Sequence, residues 1–224
     1  MNPLQRANSC FLAVVFFVFQ IQAAGQTRSD PAWTIDPEGI SGQITKTTTE
    51  ADLKRVFGEQ NVQDHEVYLG EGNFEKGTAL YPGDPQNLIA ILWKDDQGKR
   101  FPKEVLVGGI ENGNYAVRSL WQTTYGIGLG MPLKSLEKIN RRPFRLAGFG
   151  WDDEGTVHSW SGGILEKAFG SKSGRKVFIR LNPDNSHLAE VRQVSGDADF
   201  SSGHPAMQTI NPQIFQMIFV FSRD

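Results

Sequence analysis

The chain has 224 residues, with 23 Lys and Arg against 25 Asp and Glu, a formal charge of −2 and one cysteine. The balance leaves no basic stripe for nucleic acid and no polybasic patch for a membrane surface. One cysteine cannot form an internal disulfide, so a folded domain must rest on its apolar core.

Residues 1–25 read as a signal peptide. Arg6 supplies a positive start, "CFLAVVFFVFQI" an apolar run of about a dozen residues, and "AAGQ" a small-residue exit, with cleavage expected near Gly25–Gln26. The run is shorter than the ~20 residues that a membrane span needs. An exported chain, periplasmic or extracellular and without stable membrane insertion after cleavage, is therefore expected. Cys10 precedes most of the apolar run, which misplaces it for lipid attachment, and cleavage removes the only thiol. Residues 26–42, rich in Pro, Gly and Asp, read as a loosely ordered arm.

Residues 43–122 form the first of two expected halves. Thr47 and Glu50 have capping-box spacing, Leu53, Val56 and Phe57 share a helical face, and Gly58 is placed to stop the helix. The apolar runs "EVYLG", "GTALYPGD", "LIAILWK" and "KEVLVGG" then predict strands, with "DDQGK" as a hairpin turn. Residues 123–224 form the second half. Pro132 suits a first helical turn, Leu133, Leu136 and Ile139 supply an apolar face, and Pro143 lies beyond the end. Strands are predicted in "FRLAGFGWD", "TVHSW", "KVFIRL", "LAEVRQV" and "QIFQMIFVF". A shift of 83 residues lays Ile44 on Ile127, Leu53 on Leu136 and Val56 on Ile139. The whole predicts an α+β fold of two related halves, each a short helix packed on antiparallel strands. Inter-strand gaps are too short for crossover helices, which argues against a parallel doubly wound sheet.

Most chemical motifs reduce to structure. "GIGLG" (126–130) has G-x-G-x-G spacing with Met131 next, which lacks the third glycine of a dinucleotide fingerprint, so no cofactor is expected. His187 and Glu190 have H-x-x-E spacing, but on a strand those side chains point to opposite faces. No HExxH or Cys/His cluster occurs, and neither "DDE" (152–154) nor "NPDN" (182–185) follows a calcium-loop pattern, so no metal site is expected. "SWSGG" around Ser161 lacks a nucleophile elbow, and no catalytic set is assigned.

The stretch "GFGWDDEGTVHSW" (148–160) sets aromatic residues around three carboxylates. A two-residue turn at Asp153–Glu154 or Glu154–Gly155 would place Phe149, Trp151, His158 and Trp160 on one face of a hairpin and the carboxylates in its turn. Whether that face meets the core or solvent stays open. If it is exposed, Trp121, Phe149, Trp151, His158 and Trp160 are the candidate binding residues.

The segments "TTTEADLKRVFG" and "LGMPLKSLEKINRRPF" resemble the helical openings of β-lactamase-inhibitor-like tandem repeats, in which a short helix packs on an antiparallel sheet. The secreted inhibitors have disulfides that this chain lacks, and no inhibitory residue carries over. "EADLKRVFGEQNV", "GFGWD" and "HPAMQTINPQIF" are similar to segments of exported proteins of Bacteroidetes-type bacteria. The signal peptide, the lack of a catalytic set and a fold type that elsewhere presents a concave sheet to a partner protein together predict an exported non-enzymatic binding module of the cell envelope, with an envelope protein or a glycan as partner. Two alternatives remain. One is a glycan-acting hydrolase using carboxylates near Asp152–Glu154 with Glu190 or Asp197; the other is a purely structural envelope component.

Overall fold

The computed structural model describes residues 33–36, 39–40, 44–70, 72–84, 86–111, 114–115, 118–151, 153–169 and 176–221. The signal peptide and most of the arm expected over 26–42 lie outside them. Within that arm, β1 (Ile35–Asp36) pairs with β2 (Gly39–Ile40), and Ile35 is fully buried. Residues 33–35 also bond Gln122 through Gln122 N–H to Trp33 O (2.9 Å) and Ile35 N–H to Gln122 O (2.9 Å).

Helix α1 (Glu50–Phe57) ends at Gly58 as its sequence indicates, but its capping box lies two residues downstream of the expected one. Thr49 Oγ1 accepts from Asp52 N–H (3.1 Å), and Asp52 Oδ2 accepts from Thr49 N–H (3.1 Å). The cause is tertiary. Residues 48–50 run beside residues 99–101, with Phe101 N–H donating to Thr48 O and Glu50 N–H to Lys99 O, so Thr49 is held extended (φ −115°, ψ 162°) as an N-cap must be. Leu53 is buried and Phe57 half-buried, whereas Val56 is exposed, so the apolar face is narrower than the sequence suggests.

Four antiparallel strands follow: β3 (Val62–Gly70), β4 (Asn73–Leu80), β5 (Ile89–Asp95) and β6 (Arg100–Gly108). The 96–99 turn joins β5 to β6, as "DDQGK" predicts. A small pair, β7 (Ile110–Glu111) with β8 (Asn114–Tyr115), precedes the second half. There, α2 (Leu133–Asn140) is followed by β9 (Arg145–Ala147), β10 (Val157–Ser159), α3 (Ile164–Phe169), β11 (Lys176–Asn182), α4 (Leu188–Gln193), β12 (Asp199–Ser201), α5 (Pro205–Ile210) and β13 (Gln213–Val220). "LAEVRQV" is thus largely the helix α4 and not a strand. Asp184 accepts from Ser186 N–H (2.9 Å) and starts a 3₁₀ turn that runs directly into it.

The chain is α+β, with a six-stranded sheet in the order β11-β13-β6-β5-β4-β3 and a three-stranded sheet in the order β10-β9-β12. Both are antiparallel. Each half sets a short helix ahead of its strands, but the larger sheet is shared, because β13 pairs with β6 from Gln216–Gly108 to Val220–Glu104. One face carries the main core, including Val62, Leu80, Ile91, Val105, Met217 and Ile179. On the opposite face, Val67, Ala90, Leu92 and Leu106 form a smaller apolar cluster.

The displaced cap gives a simple test. Thr49→Ala is expected to cost about 1 kcal/mol in urea unfolding, as for loss of an N-cap, whereas Thr47→Ala should change stability by under about 0.5 kcal/mol. The reverse order would place the cap at Thr47.

Candidate functional site

The five residues singled out by sequence do not share a surface. Trp121 is fully buried, donates its indole N–H to Asn87 O (2.9 Å) and meets the Trp33 ring edge-on with centroids 4.9 Å apart. Phe149 and Trp160 are buried as well, Trp160 lying against Phe144 and Phe169. Trp151, 62% exposed, and His158 face solvent. The simple hairpin behind the one-face expectation does not form. Strand pairing covers β9 and β10 with one further bond from Ala147 N–H to Thr156 O (2.9 Å), and residues 148–151 and 153–155 leave it.

Competition for the backbone explains the difference. Phe149 N–H donates to Val194 O (3.0 Å) and Phe149 O accepts from Gly196 N–H (3.1 Å), so Phe149 is drawn to the end of α4. Gly155 docks on β11, where Leu181 N–H donates to Gly155 O (3.0 Å). Gly155 has φ +64°, and a Cβ there would lie 1.8 Å from Leu181 O, so no other residue fits. Asn140, fully buried at the end of α2, holds the exit of β10. Its amide donates to Trp160 O (3.0 Å) and Arg142 O (2.9 Å), and its oxygen accepts from Leu165 N–H (3.2 Å).

His158 straps this loop to β12. Its Nε2 lies 2.5 Å from Asp153 Oδ2 and its Nδ1 2.7 Å from Asp199 Oδ1, while Arg145 donates to Asp199 O (2.8 Å). Partial burial opposes the imidazolium charge, but the hydrogen bonds to Asp153 and Asp199 and their charges outweigh it, raising the His158 pKa above 6.5. With a carboxylate oxygen beside each ring nitrogen, both contacts are hydrogen bonds only when both nitrogens carry a proton. Glu154 Oε2 accepts from Gly150 N–H (3.0 Å), so Asp153 and Glu154 each have structural partners. Asp152 lies outside the described residues. His187 and Glu190 approach to 4.0 Å, since they lie one turn apart on helical and not strand backbone.

A recess of about 430 Å³ lies elsewhere, at the outer end of the six-stranded sheet. Its origin is a mismatch of lengths. Helix α1 has 8 residues and spans about 12 Å, whereas β3 has 9 residues and extends about 30 Å, so the helix covers less than half of the strand. Cross-strand pairs on the covered face run from Val62–Leu80, in the core, through Asp64–Thr78 and Glu66–Lys76 to Tyr68–Phe74. Beyond α1, Asp64, Glu66 and Lys76 of these pairs line an open hollow with Trp93, Asp96, Gln97 and Lys99.

One polar chain fixes its inner wall. Trp93 donates its indole N–H to Thr78 Oγ1 (3.0 Å), Thr78 donates to Glu50 Oε1 (2.9 Å), and Glu50 accepts from Lys99 (2.7 Å) and Lys54 (2.9 Å). Lys99 also pairs with Asp64. Burial raises the Glu50 pKa, but Lys54, Lys99 and Thr78 outweigh it and hold the carboxyl below 4.5. Burial likewise opposes the charge of Lys99, yet Asp64 and Glu50 raise its pKa above 10.5. This wall is ionised across the ordinary pH range. By contrast, Glu66, Lys76, Asp96 and Gln97 reach the recess from exposed positions. The strand alternation in "DHEVY" and "NFEKGT" held this stripe, but only the pairing of β3 with β4 shows its polar and aromatic residues to be neighbours.

Two outcomes check the placement of the loop. Trp151→Ala should alter unfolding free energy by under about 0.5 kcal/mol, whereas Trp160→Ala should cost about 3–5 kcal/mol. For the His158 strap, a folded pKa above the unfolded value means stabilisation that is complete below 6.5 and lost as pH rises through the raised value. The stability advantage of the wild type over His158→Gln should therefore be larger near about pH 5.5 than near about pH 9. An advantage that grows with pH would contradict a charged strap.

In comparisons with known proteins, the chain matches no protein-family model, and neither a curated protein nor a solved structure is significantly similar to it.

Proposed function

We propose that the chain is an exported, non-enzymatic binding module of the bacterial cell envelope and that the recess is its ligand site. The observation carrying this reading is the recess itself: about 430 Å³, with Trp93 and Lys99 on its inner wall tied together through Thr78 and Glu50, and with Glu66, Lys76 and Asp96 at its open side. Its volume falls in the range of about 300–1,000 Å³ usual for small-ligand sites. A fixed wall beside adaptable charged groups favours recognition, because the ordering cost of one side is met on folding. The alternative of a carboxylate-pair hydrolase at the 151–155 turn is weakened by the structural partners of Asp153 and Glu154. Export rests on the reading of residues 1–25, and among the described residues no helix is long and apolar enough to cross a membrane.

Affinity capture from envelope extract tests the reading. Material retained by the wild-type protein should be lost with Glu66→Lys and with Lys76→Glu, both exposed substitutions compatible with folding, and kept with Trp151→Ala. Capture indifferent to the recess variants but abolished by Trp151→Ala would move the site to the 148–156 loop. N-terminal sequencing of the exported protein should begin near Gln26.

A further inference from the structure

We infer that the recess is one end of a longer glycan-binding trough whose other end is the exposed aromatic pair Tyr68 and Phe74. The inference rests on the recess being the ligand site and adds the chemical class of the ligand.

Three features point to a sugar chain. The first is placement. Tyr68 and Phe74 are paired across β3 and β4 on the same face as Glu66 and Lys76, one residue pair and about 7 Å farther along. They are 38% and 63% exposed, with ring centroids 5.3 Å apart at 52°. Large aromatics at a strand end normally pack inward, and here α1 is too short to cover them. The two rings offer a stacking surface continuous with a polar recess.

The second feature is the polar complement. Glu66, Lys76, Asp96 and Gln97 provide carboxylate, ammonium and amide groups. Sugar hydroxyls donate and accept at once, so a mixed set of donors and acceptors suits them. The third is charge. Three carboxylates (Asp64, Glu66, Asp96) face two ammonium groups (Lys76, Lys99) and the His65 imidazole, and Lys99 is already engaged by Glu50 and Asp64. A polyanion would find no net positive field, and the surplus of one carboxylate is too small to select a polycation. An uncharged, amphipathic chain with C–H faces for the rings and hydroxyls for the recess fits the whole length. Because the site is open on the sheet surface, a polymer can run through it.

The test uses the purified protein and polysaccharide prepared from envelope extract by exhaustive protease digestion, with half of the sample then hydrolysed by hot acid, which cleaves glycosidic bonds. Wild-type protein should bind the unhydrolysed polysaccharide and shift its tryptophan emission, since Trp93 borders the recess; the hydrolysed sample should not bind. Phe74→Ala and Tyr68→Ala, judged folded by unchanged circular dichroism and melting, should each weaken binding at least about fivefold. Glu66→Gln should do the same, and Trp151→Ala should leave binding unchanged. Binding that survives acid hydrolysis, or that persists in both aromatic variants, would overturn the glycan assignment. So would loss of all binding on protease digestion; if the recess variants still abolish capture from undigested extract, the binding site stands and its ligand is a protein. If they do not, both readings fall.

Discussion

The last strand of the chain, β13, lies between β11 and β6, so the six-stranded sheet becomes continuous only when the C-terminal segment is in place. The core residues on one face of that sheet come from both halves of the sequence, and the pairing of β13 with β6 brings them together. These contacts are distant in sequence, so their loop entropy must be met before burial of Met217, Phe219 and Val105 rewards it. Once the sheet exists, β3 and β11 are its edges. The β11 edge is partly shielded by Gly155 and Thr156, while the far end of β3 carries the stripe of polar and aromatic residues from Asp64 to Tyr68.

Around this sheet, irregular segments are fixed by buried or half-buried polar groups. Glu50 ties α1 to the 96–99 turn through Lys99, and Asn140 joins α2, the exit of β10 and the start of α3. His158 ties the 148–156 loop to β12. These anchors differ in consequence. Those at Asn140 and Glu50 are largely withdrawn from solvent and act at all ordinary pH values, whereas the His158 strap is half-exposed, screened and dependent on a titrating group. The recess depends on the Glu50 anchor, which keeps its inner wall fixed while the outer residues remain accessible.

Long, strongly patterned elements were legible in the sequence. The strands around "LIAILWK", "KEVLVGG" and "QIFQMIFVF", the turn between the first two, and helices starting near Glu50 and Leu133 all appear. The misses share a physical reason: tertiary partners overrode local signals. Thr49 replaced Thr47 as cap because residues 48–50 pair with residues 99–101. The turn carboxylates did not close a tight hairpin, because Phe149 bonds Val194 and Gly196 instead of continuing β9. Helices α3, α4 and α5 have only 6 residues each, too few for periodicity to distinguish them from strands. For the site, sequence reasoning favoured tryptophans as such, and three of the five chosen residues proved to be core. The exposed Tyr68–Phe74 pair was missed because its members acquire meaning only from cross-strand register.

Hydrogen–deuterium exchange on the protein with and without envelope polysaccharide tests the central claim most directly, because it reports the location of binding without altering any residue. Slowed exchange confined to segments 64–77 and 93–99 is the result that the account predicts. Protection concentrated in segment 148–158, or none in the presence of saturating polysaccharide, would contradict it.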